Sequence, residues 1–157
     1  MKKKILIIIV SLLFYGCGFT PIYKEINFSN LSIQSIEFSG NRNINSVINE
    51  KLFRYTNSEK KSYNLKIDSA YTKKILAKDT SGNVTNYELI LLIKVEILQE
   101  TGTGIVKIKE FNYTEKSNTK NESNSLTQKN LEKNIINNLA TNISREIVFD
   151  LSNLNDN

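Results

Sequence analysis

Residues 62–77, SYNLKIDSAYTKKILA, and 85–98, TNYELILLIKVEIL, decide the fold of this chain. In the first, Tyr63, Leu65, Ile67, Tyr71 and Ile75 fall on alternate positions. In the second, Tyr87, Leu89, Leu91, Ile93, Val95 and Ile97 do the same. A repeat of two is that of a strand with one buried face, because successive side chains point to opposite sides of a sheet. Between the two stretches DTSGN, 79–83, supplies hairpin-turn residues, with Gly82 able to take a positive φ. A second glycine-bearing turn, ETGTG at 100–104, leads into IVKIKEFNYTEK, 105–116, a third long strand. The three strands are expected to form an antiparallel meander.

Outward from the meander the period changes. Downstream, SNTKNESNS, 117–125, is wholly polar and reads as a mobile loop. Beyond it Leu131, Ile135, Leu139, Ile143, Ile147 and Leu151 recur every four residues, joined by Ile136, Ala140 and Val148. That is one apolar helical stripe, and the meander is the only large apolar surface to receive it. Thr127 is the expected start of this helix, and SNLNDN frays off its end. Upstream, Ile44, Val47, Ile48, Leu52 and Tyr55, with Phe53 alongside, mark a helix over 43–55 with Asn43 as its cap. Before it LSIQSIEF, 31–38, reads as a strand with a phase slip near Ser35 that fits a bulge, ended by Gly40 and Asn41. The order β-α-β-β-β-α predicts an α+β fold: a two-layer sandwich of a four-stranded, mostly antiparallel (mixed) sheet with two helices on one face. The first strand is separated from the meander by a helix and is free to run parallel to a neighbour.

The face of the sheet without helices is unusual. On the central strand its positions are Asn86, Glu88, Ile90, Leu92, Lys94 and Glu96, apolar at the centre and charged at the ends. A solvated antiparallel face should read polar throughout. Ile90 and Leu92 are therefore candidate partner-binding residues. The alternative is that a loop or the segment 18–30 folds across them.

The amino-terminal end has a different grammar. Met1 and Lys2 to Lys4 are followed by an uncharged stretch from Ile5 to Tyr15, closed by Gly16. This is the layout of a bacterial export signal, and its apolar run is about half of the roughly 20 residues that cross a bilayer core. Cys17, the only cysteine, follows at once. One thiol in an exported chain makes no internal disulfide, which leaves an intermolecular bond or another use of the sulfur. A cysteine directly after a small residue at a signal's end matches the acceptor of bacterial lipoprotein processing, with cleavage between Gly16 and Cys17. The usual leucine three residues before the cysteine is absent: Phe14 and Tyr15 hold the third and second places, and Leu13 lies one step further out. The expected division is a lipoprotein signal peptide at 1–16, a lipidated tether at 17–30 containing the lone proline, Pro21, and one domain at 31–157.

Composition narrows the function. Without the three lysines of residues 1–16 the net charge falls from +5 to +2, weak for a nucleic-acid protein. The chain has no histidine, and its one cysteine is assigned to a lipid, so Cys-His, Ser-His and ordinary zinc chemistry lack their parts. Asp68, Asp79, Glu88 and Glu96 form no convincing catalytic pair, and TGTG lacks the lysine of a phosphate loop. The chain is expected not to be an enzyme, to hold no metal and to need no cofactor beyond diacylglycerol and an N-acyl lipid on Cys17.

GCGFTPIY, 16–23, resembles the mature start of the LPS-assembly lipoprotein LptE (RlpB) family, whose members open with a lipidated cysteine, then Gly-Phe, then a Pro-hydrophobic-Tyr step. The element order, the long hairpins and a closing helix of the NNLATNISREIVFDL type, 137–151, also look like that family. The resemblance implies a lipoprotein at the periplasmic face of the outer membrane that plugs the LptD β-barrel, helps it assemble and assists insertion of lipopolysaccharide. A site for that glycolipid would place cations near apolar side chains. Lys94, Lys107 and Lys109, near Ile90, Leu92 and Ile108, fit best, although the apolar phase slips between Ile105 and Phe111 and leaves the face of Lys107 and Lys109 open. The rival is another periplasm-facing lipoprotein, a ligand-binding module or an accessory subunit of a different envelope transporter.

Overall fold

The computed structural model describes residues 33–56, 63–102 and 104–155. The elements are β1 (Ile33–Gly40), α1 (Arg42–Leu52) prolonged by a 3-10 turn (Phe53–Tyr55), β2 (Tyr63–Lys78), β3 (Val84–Thr101), β4 (Gly104–Lys120) and α2 (Ser125–Asn155). They form one four-stranded sheet in the order β1-β2-β3-β4. β1 runs parallel to β2, and the other two pairings are antiparallel. This is the mixed α+β sheet that the periodicity implies. The phase slip near Ser35 is a register shift between Ile33 and Ser35.

Both helices lay their apolar stripes on one face. Ile44, Ile48 and Leu52 of α1 and Leu139, Ile143, Ile147 and Leu151 of α2 meet Leu65, Ile67, Leu91, Ile93, Val95 and Ile97 in one buried cluster. The odd-numbered residues of β3 thus face the helices, as their alternation requires. Polar ties fix α2 over the sheet at two heights. Lys73 of β2 pairs with Glu132 at 2.5 Å, and the Tyr113 hydroxyl of β4 donates to Asp150 at 2.8 Å. Burial, reinforced by the neighbouring Asp150 carboxylate, raises the Tyr113 pKa and keeps the phenol a donor.

The turn from β1 into α1 needs Gly40. Its φ is +84°, and a Cβ there would lie 2.0 Å from the carbonyl oxygen of Ser69. Ser69 is the first polar residue to interrupt the apolar alternation of β2, and the interruption has a cause. Its buried hydroxyl accepts from the Asn41 N–H at 2.9 Å and donates to Asn45 Oδ1 at 2.6 Å, tying strand to helix start.

Three sequence expectations are corrected. The cap of α1 is Asn41, whose side chain accepts from the N–H groups of Asn43 and Ile44; the extended backbone at 41 puts its oxygen over the first turn, whereas Asn43 is already helical. Residues 117–120 belong to β4 and are not loop: Ser117 pairs with Leu89 and Thr119 with Tyr87. Ladder bonds come from the backbone, so a polar run stays in the sheet where its neighbour strand continues. Finally, α2 starts at Ser125, two residues before Thr127, capped by the Asn124 side chain, which accepts from Leu126 and Thr127. Among the described residues no helix is long and apolar enough to cross a membrane.

Candidate functional site

The helix-free face of the sheet divides at the level where β1 stops. Beside β1 the face is ionic and internally matched. Lys66 meets Glu37 at 3.0 Å, and the Ser39 hydroxyl donates to Asp68 at 2.5 Å. Across β3 and β4, Lys94 lies 3.1 Å from Glu96 and 3.3 Å from Glu110, while Lys107 lies 3.3 Å from Glu96 and 2.5 Å from Glu110. Two cations and two carboxylates thus close a ring. The Lys107 ammonium leads in holding the Glu110 carboxyl down to about 2, and Lys94 leads in lowering Glu96. The lysines shift upward in return, Lys94 chiefly through Glu96 and Lys107 chiefly through Glu110.

Beyond the end of β1 the same face changes character. The register sets Ala70 and Thr72 of β2 beside Leu92 and Ile90 of β3, with Thr114 and Lys116 of β4 on the other side. Leu92 is 42% exposed, as an apolar centre on an open face should be. Ile90 differs from the sequence expectation: it is only 6% exposed. It is flanked by Thr72 and by Lys116, whose four-carbon stem is long enough to lie over an apolar neighbour. The accessible apolar surface at this point is therefore Leu92.

The lysine trio expected near these residues is split. Ile97 pairs with Lys109 and Leu98 with Lys107, so Ile108 is an extra residue that bulges β4. The bulge reverses the phase. Lys107 lies with Lys94 on the open face, whereas Lys109 falls on the helix side, its ammonium 4.8 Å from the Phe111 ring centroid. This is the slip between Ile105 and Phe111, resolved.

A second candidate site escaped the sequence reading. Between the end of α1 and the middle of α2 lies a groove of about 660 Å³, lined by Lys51, Arg54, Tyr55, Arg145, Val148 and Phe149 among others. The Arg54 guanidinium sits 6.0 Å from the Tyr55 ring, Lys51 is 2.9 Å from Glu50, and Phe149 is 49% exposed. Three cations on apolar walls suit an anion that carries hydrocarbon. Glu146, also on the groove, has its carboxyl raised by burial and by the negative Glu115 and Asp150. The available signal was weak: Lys51 and Arg54 are three apart on one helix, but Arg145 joins them only through the fold.

Among the described residues no grouping of acidic or sulfur side chains could hold a metal ion. Gly16, Cys17 and the segment 18–30 lie outside the described residues.

No protein-family model and no curated protein matches this sequence. Solved structures do match the fold. Rare lipoprotein B from Shewanella oneidensis superposes with a TM-score of 0.56 at 16% identity, covering 77% of this chain and 98% of that one. Uncharacterized lipoprotein B from Nitrosomonas europaea gives a TM-score of 0.54 at 16% identity, covering 81% and 88%. The chain therefore has an LptE-like (RlpB-like) fold, the one implied by its resemblance to that family.

Proposed function

We propose that this chain is a non-enzymatic outer-membrane lipoprotein of lipopolysaccharide assembly, acylated at Cys17, that plugs an LptD-type β-barrel and helps it mature. The observation that carries the reading is the fold likeness to rare lipoprotein B. A sheet face with nothing described over it supports the plug role, because a barrel wall needs a broad surface to rest on. Leu92 supplies its apolar centre and the ion-paired half supplies neutralised polar surface.

Glycolipid contact is a separate part of the proposal. Lys94 and Lys107 already have carboxylate partners that a phosphate would have to displace. Arg54 and Arg145 on apolar walls are the stronger site for a phosphate attached to acyl chains, with Lys51, itself paired to Glu50, beside them.

Purification in mild detergent tests the reading: a large outer-membrane barrel should co-purify in a one-to-one ratio, and depletion should lower surface lipopolysaccharide. Recovery as a free monomer with normal barrel maturation would point instead to a different envelope lipoprotein. Because Ile90 is buried, Leu92→Glu alone is the clean surface probe and should weaken barrel capture with the domain still folded. Arg54→Glu combined with Arg145→Glu should reduce bound lipopolysaccharide while leaving barrel capture intact.

A further inference from the structure

One end of the sandwich carries exposed apolar side chains where the chain emerges from its amino-terminal segment. In the sheet Ile33 pairs with Tyr63, Asn64 with Leu98 and Leu98 with Lys107, so the start of β1, the start of β2 and the β3–β4 turn share an end. Thr56, just after α1 and its 3-10 turn, bridges to Ile33 at the same end. Pairing then continues in β3 and β4 alone through Gln99 and Val106, Glu100 and Ile105, and Thr101 and Gly104, making a two-stranded ribbon that projects beyond β2. On this ribbon and its base Ile105 is 64% exposed, Val106 49% and Ile108 45%; Phe53 nearby is 68% exposed. Three aliphatic side chains within four residues at a protruding turn are what a soluble surface avoids.

We infer that the β3–β4 tip inserts its Ile105, Val106 and Ile108 side chains among the acyl chains of the bilayer to which the protein is tethered. The inference rests on the proposed acylation of Cys17. Fifteen residues lie between Cys17 and Ile33. A random coil of that length would have a root-mean-square reach of about 20–24 Å, and its fully extended limit is about 55 Å. The tip therefore lies within easy reach of the membrane. The opposite end also exposes aliphatic residues, Ile75, Leu76 and Leu126, but Ile75 lies about 40 Å further along β2, well beyond that root-mean-square reach.

Charge indicates how the tip would bind. Lys107 is committed to Glu96 and Glu110, Lys109 lies over Phe111, and Glu100 sits on the ribbon itself. The contact is thus apolar and does not depend on anionic headgroups. It also leaves the helix-free face of the sheet clear, because the tip occupies an end and not a face.

The chain has no tryptophan, so single indoles can report on each end. Val106→Trp and Leu76→Trp sit at positions of equal exposure, 49%, at opposite ends. Each full-length acylated variant is bound to phosphatidylcholine vesicles with brominated acyl chains. The indole at position 106 should shift to the blue and be quenched at least about twofold more than that at 76, unchanged when anionic lipid is added. Equal or absent quenching with the protein still floating on vesicles overturns tip insertion and leaves the anchor standing. Quenching that requires anionic lipid overturns the apolar contact. Failure to float, with a bare Cys17 thiol by intact mass, removes the anchor and the tip contact with it.

Discussion

Ile93 and Leu92 are neighbours on β3, yet Ile93 is 1% exposed and Leu92 is 42% exposed. The first is held under two helices. The second stands on a face over which no described element lies. On the helix side the sheet's apolar residues find apolar partners from both helices, and that burial drives folding. On the other side the half next to β1 satisfies itself with ion pairs, while the half beyond it keeps an aliphatic centre that contributes little to the monomer. The difference teaches where stability and recognition are separated in this molecule: one face of the strand builds the domain, and the other is available to a partner.

This contrast can be broken most forcefully at the core. Ile93→Ala removes a fully buried side chain and should cost about 2–5 kcal/mol in denaturant unfolding. Next comes Ser69→Ala, which removes the bond to Asn45 Oδ1 and the side-chain acceptor of the Asn41 N–H but leaves that N–H bonded to the Ser69 carbonyl at 3.0 Å; it should cost about 0.5–1.5 kcal/mol, read from the same unfolding curves. Leu92→Ala, one residue from Ile93, should change stability by less than about 1 kcal/mol, because its side chain is already part-solvated. A cost near that of Ile93→Ala would mean that the open face is a second core. The smallest effect belongs to the exposed ion ring. The Glu110 carboxyl is held below its ordinary 4.5, at about 2, so its pairing stabilises the fold above pH 4.5 and is lost as pH falls through 2. Glu110→Gln should unfold slightly more easily than the parent near pH 7, the two curves converging on acidification between those limits.

How much could be read from the sequence follows from which interactions are local. The alternation Leu89, Leu91, Ile93, Val95, Ile97 and the four-residue stripe from Leu131 to Leu151 expose the two-layer plan directly, because each period is set by the backbone of its own element. Residues 117–120 are hidden: their strand state depends on the length of β3 and not on their own polar side chains. The faces of Lys107 and Lys109 are hidden by a single bulged residue, Ile108, which inverts everything after it. Ile90 is misjudged because alternation reports only which face a residue occupies and not how far that residue is covered: it and Leu92 share a face, yet one is 6% and the other 42% exposed. The α1–α2 groove is hidden because Arg145 meets Lys51 and Arg54 only after both helices pack.

The most direct test of the central claim is site-specific photocrosslinking in cells from two surfaces of the domain. A photoreactive residue at Leu92, on the open face, should capture a large outer-membrane β-barrel more strongly than the same group at Asn142, exposed on α2. Capture from Asn142 with none from Leu92 would contradict the account.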